Sequence, residues 1–231
     1  MLAMETEMKL QPTTRGGKGF NRTELMVVIG VAALLLAVVA VLLPALATPK
    51  RMASRINCVN NLKQIGISFR IWEGDNGDKF PMQVSVTNGG AMELAIAGNV
   101  SVIFGVMSNE LSTPKVLVCP EDTGRYCATN FTTDLNHQTI SYFVSLDAED
   151  KYPKMIISGD DNLEVNGIRV RPGILNLWTN TSVGWTTERI GKFHGPGNIA
   201  LADGSVSSTT TLAFQSALVN TGLATNRLVI P

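Results

Sequence analysis

Residues 25–48 read LMVVIGVAALLLAVVAVLLPALAT, and this stretch carries no charged side chain. A helix needs about 20 consecutive apolar residues to cross the hydrocarbon core of a bilayer, so the stretch is long enough to span it. A cleavable secretory signal has an apolar core of only about 7 to 15 residues. A buried helix of a soluble protein would show polar positions at helical spacing, and none occur here. The stretch therefore predicts a membrane-spanning helix near the N-terminus.

The distribution of charge does not determine the orientation of the span in the membrane, and it does not indicate a charged partner. The span is flanked by basic residues on both sides: Lys9, Arg15, Lys18 and Arg22 before it, and Lys50, Arg51 and Arg55 after it. The positive-inside rule is therefore nearly undecided. The whole chain has 19 basic and 19 acidic residues, so it lacks the positive field that draws proteins to nucleic acid. We do not expect nucleic acid as a partner.

The junction before the span holds a short pattern: Gly19, then Phe20, then Glu24 immediately before the apolar run. This pattern resembles the processing motif of type IV prepilins, although residues 21–23 depart from the commoner choices. The resemblance implies that a prepilin peptidase cuts between Gly19 and Phe20 on the cytoplasmic side and methylates Phe20. It also implies a chain anchored once in the inner membrane, with a cytoplasmic N-terminus and a periplasmic head.

Glu24 places an ionisable side chain at the edge of the apolar run, and this position requires a physical explanation. An ionisable side chain in the membrane costs about 3 kcal/mol at a helix centre and less toward the end, and such groups usually have a partner. In assembled pilins the partner is the N-terminal amine of a neighbouring subunit, which the resemblance places at Phe20 of the next chain. The alternative is a glutamate that simply reaches the lipid headgroups.

A second helical segment is predicted after the span. Apolar residues recur there at spacings of three or four: Ile56, Val59, Leu62, Ile65, Phe69 and Trp72. We expect Pro44 and Pro49 to bend or interrupt the helix, and glycine and Asn-Gly signals to end it near Gly74. The predicted organisation is a leader over residues 1–19, a transmembrane half-helix over 20–48, a soluble half-helix over 49–74 and a head over 75–231.

The head is predicted to mix short helices with an antiparallel sheet. Helices are expected in AMELAIAGN and SVIFGVMSNEL, and strands in KVLVC, ISYFVSL, KMIISGD, LEVNGIRV and NIALADGSV. Asn166-Gly167 and Asp203-Gly204 suit two-residue hairpin turns, and TTTLAFQSALVN suits a helix with a threonine N-cap. The predicted fold class is α+β and pilin-like: a long N-terminal helix packed on an antiparallel sheet.

Four further segments resemble a large bacterial group of pseudopilin-like proteins. They are CVNNLKQIG at 58–66, Phe80-Pro81, VCPED at 118–122, and a late Phe193-His194-Gly195 followed by Ala202-Asp203-Gly204. The last corresponds to a "H, several residues, DG" signature. The matches run from residue 19 toward the C-terminus, so the resemblance covers most of the chain.

Three cysteines, Cys58, Cys119 and Cys127, allow at most one disulfide. In an exported head, Cys119 could pair with Cys58 or with Cys127. We expect the remaining cysteine to be a buried thiol.

The sequence offers no clear catalytic site, and we do not expect an enzyme or a cofactor. The two histidines, His137 and His194, are not accompanied by a GxSxG elbow. Acidic runs at 73–78, 147–150 and 160–161 raise the possibility of a structural calcium ion, but they lack the spacing of an EF-hand. No Walker A motif is present, so energy for assembly would come from a separate ATPase.

The leading functional hypothesis is a structural subunit of a type IV pilus-like or type II secretion pseudopilus fibre that serves protein secretion. Its expected partners are prepilin peptidase, other pilin or pseudopilin subunits, the inner-membrane assembly platform and the lipid bilayer. The rival hypothesis is a membrane-tethered periplasmic binding or surface domain that uses the leader only for export and anchoring. A concave pocket with convergent polar groups in the head would favour the rival.

Overall fold

The computed structural model describes residues 21–186 and 197–231, and the side chains of residues 44–54 lie outside that description. The described chain is α+β, with one apolar N-terminal helix and antiparallel sheets. It divides into two compact units, the first ending at Thr48 and the second running from Pro49 to Pro231.

Helix α1 runs from Arg22 to Asp75. The expected interruption at Pro44 or Pro49 is wrong, because helical backbone continues through both positions. A proline removes one helical hydrogen bond, but the turns on either side keep theirs and the helix can continue past it. The predicted end near Gly74 is confirmed: the Asn76 side chain donates to the Trp72 carbonyl at 2.7 Å, and Gly77 has a φ of 68°.

Three short helices follow, α2 (Met92–Ile96), α3 (Val100–Val106) and α4 (Ser108–Leu111). They confirm the two predicted helical segments. The strand expected in KVLVC is wrong, because Pro114–Leu117 forms a 3₁₀ turn. Pro114 fixes a helical φ at the first position of this turn, and the Thr113 side chain accepts a hydrogen bond from the Lys115 N–H.

The main sheet has six strands in the order β5-β9-β1-β2-β7-β8, and all neighbours are antiparallel. Its strands are β1 (Tyr142–Ser145), β2 (Ile156–Asp160), β5 (Gly173–Trp178), β7 (Gly197–Leu201), β8 (Val206–Thr209) and β9 (Thr225–Ile230). A second sheet holds β4 (Ile168–Arg169), β3 (Leu163–Val165) and β6 (Val183–Trp185). Helix α5 (Thr211–Val219) starts at the N-cap Thr210, as its sequence predicts.

The two predicted hairpin turns differ in outcome. Asn166 and Gly167 both have positive φ and join Val165 to Ile168 in a two-residue turn, as expected. The two-residue turn at Asp203-Gly204 is wrong. The Gly204 N–H donates to the Leu201 carbonyl and the Leu201 N–H donates to the Ser205 carbonyl, which leaves a three-residue loop with only Gly204 at positive φ.

The six-stranded sheet has a hydrophobic core on each face, because strand side chains alternate sides. On one face, Tyr142 and Val144 pack with the α1 residues Leu62, Ile65, Phe69 and Trp72 and with α2 to α4. On the other face, Phe143 packs with Trp185 of the small sheet and Phe214 of α5. In the predicted apolar stripe of α1, Val59 is half-buried and Ile56 is 59% exposed.

Candidate assembly site and motif contacts

Glu24 lies in the first turn of α1. Asn21 takes the N-cap position, since the Leu25 N–H donates to its carbonyl at 3.0 Å. The Glu24 carboxylate reaches back and accepts a hydrogen bond from the Asn21 N–H at 3.1 Å. This is the glutamate half of a capping box, and the positive end of the helix dipole favours the carboxylate there. Residues Gly19 and Phe20, the predicted processing positions, lie outside the described residues.

The apolar part of α1 can cross a membrane. Within Arg22–Leu43, the most apolar window of 18 residues has a mean hydropathy of 3.2, and none of that window is buried inside the chain. The side chains from Leu25 onward along this part are exposed and apolar. The described part of the chain therefore has one helix, near the N-terminus, that is long and apolar enough for a single-pass anchor.

The disulfide joins Cys58 of α1 to Cys119, with a Cα to Cα distance of 4.8 Å. This selects one of the two pairings that the sequence left open. Cys127 is free and exposed, so the expectation that the third thiol would be buried is wrong. The segment around Cys127 lies on the surface, with both Tyr126 and Cys127 exposed.

The motif segments meet on the face of α1 that packs against the sheet. Beside the disulfide, the Asn61 side chain donates to the Val118 carbonyl at 2.9 Å. Two turns further along α1, a methyl group at Gly66 would lie 3.5 Å from the Cα of Gly204. The helix and the β7–β8 loop therefore pack closely at this point, and a methyl group at Gly66 would be in ordinary van der Waals contact with Gly204. Phe193 and His194 lie outside the described residues.

A buried ion-pair cluster lies beyond the disulfide. Asp122, the last residue of VCPED, accepts a hydrogen bond from the Ser141 hydroxyl at 2.9 Å and pairs with Arg125 at 3.1 Å. Arg125 also contacts Asp161. All three charged side chains are at most 5% exposed. The burial of Arg125 is not predictable from the sequence, because nothing in its neighbourhood marks this residue as buried.

Asp160 is a second buried carboxylate, at the end of β2. Its Oδ2 accepts two hydrogen bonds from Asn198, at 2.8 Å from the backbone and 2.9 Å from the side chain. Its Oδ1 is buried and has no hydrogen-bond partner among the described residues. Burial raises the pKa of Asp160 to about 7, against the opposing effect of the Asn198 bonds. Nearby, burial also raises the pKa of Tyr142, whose hydroxyl donates to the Cys58 carbonyl at 3.3 Å.

Three acidic residues from the predicted calcium runs come together. Carboxylate oxygens of Glu73, Asp78 and Asp150 lie within 4.8 Å of one another, which is a spacing that a metal ion could bridge. Arg70 already contacts two of them, at 3.1 Å from Glu73 and in a close ion pair with Asp150. The cluster therefore has its own counter-ion, and the arrangement works as an ion-pair network that ties α1 to the loop before β2.

The head also has concave surfaces. One pocket of about 410 Å³ is lined by polar and basic side chains and by the chain end, including Arg125, His137, Asp161, Arg169, Arg171 and Pro231. Such a pocket is the feature that the rival hypothesis of a tethered binding domain requires. A second and larger groove lies beside α5.

No family model, no curated protein and no solved structure matches this chain. Interpretation of its function therefore depends on the motif residues and on the geometry described above.

Proposed function

We propose that this chain is a type IV pilin-like subunit that is processed by prepilin peptidase and assembled through its N-terminal helix. The fibre would be a type IV pilus-like structure or a secretion pseudopilus, and its role would be protein secretion rather than catalysis. The head would face the periplasm and the residues before Phe20 would face the cytoplasm.

The observation that carries the proposal is the position of Glu24. It lies in the first turn of an apolar helix whose surface is exposed, four residues after Phe20 of the Gly19-Phe20 pair. Cleavage between that pair would create a cationic amine next to the positive end of the helix dipole, which is unfavourable. A carboxylate one turn away offsets that charge. It can do so within the chain or, in a fibre, across to the amine of a neighbouring subunit.

The second half of α1 supports the same proposal. A subunit that is held in a fibre by its helix must transmit force from that helix to its head. Here the helix is fixed to the head by the Cys58–Cys119 disulfide, by buried Leu62, Ile65 and Phe69, and by the Arg70 network.

The test is co-expression of the full chain with and without a prepilin peptidase, followed by mass spectrometry of the membrane-extracted protein. We expect loss of residues 1–19 and gain of one N-terminal methyl group only when the peptidase is present. Gly19→Ala should block cleavage. Gly17→Ala changes a neighbouring glycine of the same leader and should leave cleavage intact. An intact chain with active peptidase, or equal effects of both substitutions, would contradict the proposal.

A second candidate function is a membrane-tethered binding domain, and the basic pocket around Arg125 and Arg171 favours it. The two candidates differ in assembly. A fibre subunit gives ladders of cross-linked copies in cells that contain the assembly platform, whereas a tethered domain stays monomeric after processing.

A further inference from the structure

A groove of about 740 Å³ lies between α5 and the loop that joins β5 to β6. The strand side contributes residues from Trp178 to Val183, and the helix side contributes Leu212, Gln215, Ser216, Leu218, Val219 and Asn220. All of these residues belong to the described part of the chain. The groove is separate from α1 and from the basic pocket.

The lining of this groove is uncharged. Its side chains are one aromatic ring, a few aliphatic groups, and a set of hydroxyls and amides. Trp178 is 57% exposed, which is unusual for the largest side chain in proteins. An uncharged lining gives no electrostatic attraction to phosphates, acidic polymers or basic peptides. The ligand that suits it is neutral and rich in hydroxyl groups.

Several polar groups of the groove are available to a ligand. The side chains of Asn180 and Asn220 are exposed and make no hydrogen bond within the described residues. Gln215 uses its NH₂ group to bind the Val183 carbonyl at 2.7 Å, which fixes the side chain and leaves its oxygen as an acceptor. An amide offers both donors and acceptors, as the vicinal hydroxyls of a sugar require.

The backbone that carries the indole of Trp178 is held in place by its neighbours. Trp178 pairs with Thr225 across β5 and β9. The Trp178 N–H donates to the Thr181 side chain at 3.0 Å, and the Thr181 N–H donates to the Trp178 carbonyl at 2.9 Å. A backbone segment fixed in this way loses little freedom when a ligand binds beside it, and that favours binding.

We propose that this groove binds a neutral glycan. The apolar C–H face of one pyranose ring would stack on the indole of Trp178, and its hydroxyls would bond to Asn180, Asn220 and Gln215. The combination of an aromatic surface with a few placed polar groups is the usual composition of a small-ligand site. The proposal does not depend on leader processing or on fibre assembly.

The test uses the full chain in a zwitterionic detergent that has no sugar headgroup. Maltohexaose, cellohexaose and chitohexaose are titrated separately, and binding is followed by calorimetry and by tryptophan fluorescence. The other tryptophans, Trp72 and Trp185, are buried, so a fluorescence change reports on Trp178. We expect at least one of the three sugars to bind saturably with a Kd of about 0.1 to 1 mM.

Variants locate the binding. Trp178→Ala should weaken calorimetric binding at least about tenfold, and Asn180→Ala should weaken it severalfold. Tyr152→Ala removes a similarly exposed ring, 53% exposed, that does not line the groove, and it should change nothing. The proposal is overturned if no sugar binds up to about 10 mM, or if Trp178→Ala binds as well as the parent. It is also overturned if Trp178→Ala reduces self-association in sedimentation while sugars do not bind, since the groove would then be a protein contact.

Discussion

Removal of the Cys58–Cys119 disulfide tests how firmly α1 is fixed to its head. The bond closes a loop with a sequence separation of 61 residues. In the chain-entropy description, closing a loop of that length lowers the conformational entropy of the unfolded chain. This raises the free energy of unfolding by about 4 kcal/mol. The bond should therefore contribute a large part of a typical free energy of unfolding, which is about 5 to 15 kcal/mol.

The variant Cys58→Ala/Cys119→Ala is suited to the measurement, because both positions are buried and alanine adds no polar group there. We expect the free energy of unfolding to fall by about 4 kcal/mol. For a unit of this size the melting temperature should fall by roughly 8 to 16 °C. Urea unfolding of the oxidised full chain in detergent gives the first quantity, and calorimetry gives the second.

Cys127→Ala is the matched control, because it makes the same chemical change at an exposed free thiol. Its effect should stay within about 0.5 kcal/mol. Peptide mapping of the parent under non-reducing conditions should find Cys58 linked to Cys119. A double variant that loses less than about 1 kcal/mol, or a bridge that contains Cys127, would refute the reasoning.

Three other predictions concern charge and topology. In Glu24→Gln the new side chain can still accept the hydrogen bond from the Asn21 N–H, but it carries no charge. We therefore expect the cross-linked ladders to be lost, while the helix content measured by circular dichroism is unchanged. Ladders as strong as those of the parent would rule out an ion pair between subunits. The raised pKa of Asp160 means that the folded state holds a proton which the unfolded state releases between about pH 4 and about pH 7, so stability falls as pH rises through this window. The stability of Asp160→Asn relative to the parent should therefore rise by about 3 kcal/mol between about pH 5 and about pH 8 in urea unfolding, and a constant difference would contradict this. Finally, the exposed Cys127 thiol should react with a membrane-impermeant maleimide in intact spheroplasts if the head is periplasmic, whereas labelling only after lysis would place the head in the cytoplasm.

The parts of the fold that sequence predicts well are those that local chemistry determines. The length and apolar character of α1, its end at the Asn76-Gly77 signal, the Asn166-Gly167 turn and the Thr210 cap of α5 all depend on residues close together in the chain. The segment Pro114–Leu117 was misassigned because an apolar, β-branched run outweighed the Thr-Pro turn signal before it.

Three strands, β5, β6 and β9, were not predicted. Residues Val183–Trp185 form a strand of only three residues, which is too short for any periodicity to appear. Strand β9 alternates buried and exposed positions only in its first half, and its remaining residues are buried on both sides. Burial of this kind depends on neighbouring strands, and so on the tertiary structure rather than on local preference.

The residues of the candidate site also divide into those that local sequence predicts and those that depend on the tertiary structure. Glu24 and the processing pair are local patterns, so they can be found in the sequence. The pairing of Cys58, the burial of Arg125 and the raised pKa of Asp160 depend on contacts with residues that are distant in the chain. Arg125 and Asp161 are 36 residues apart, and no spacing rule connects them.

The contacts of the motif residues indicate that these residues share one structural role. The segments at 58–66, 118–122 and 202–204 are far apart in sequence, yet they converge on one face of the second half of α1. There they supply a covalent bond, a hydrogen bond to the Val118 carbonyl, and a close approach of Gly66 to Gly204. None of these groups is arranged as a nucleophile with a base. These residues thus attach the head to the second half of α1, and the proposed assembly through α1 would require such an attachment.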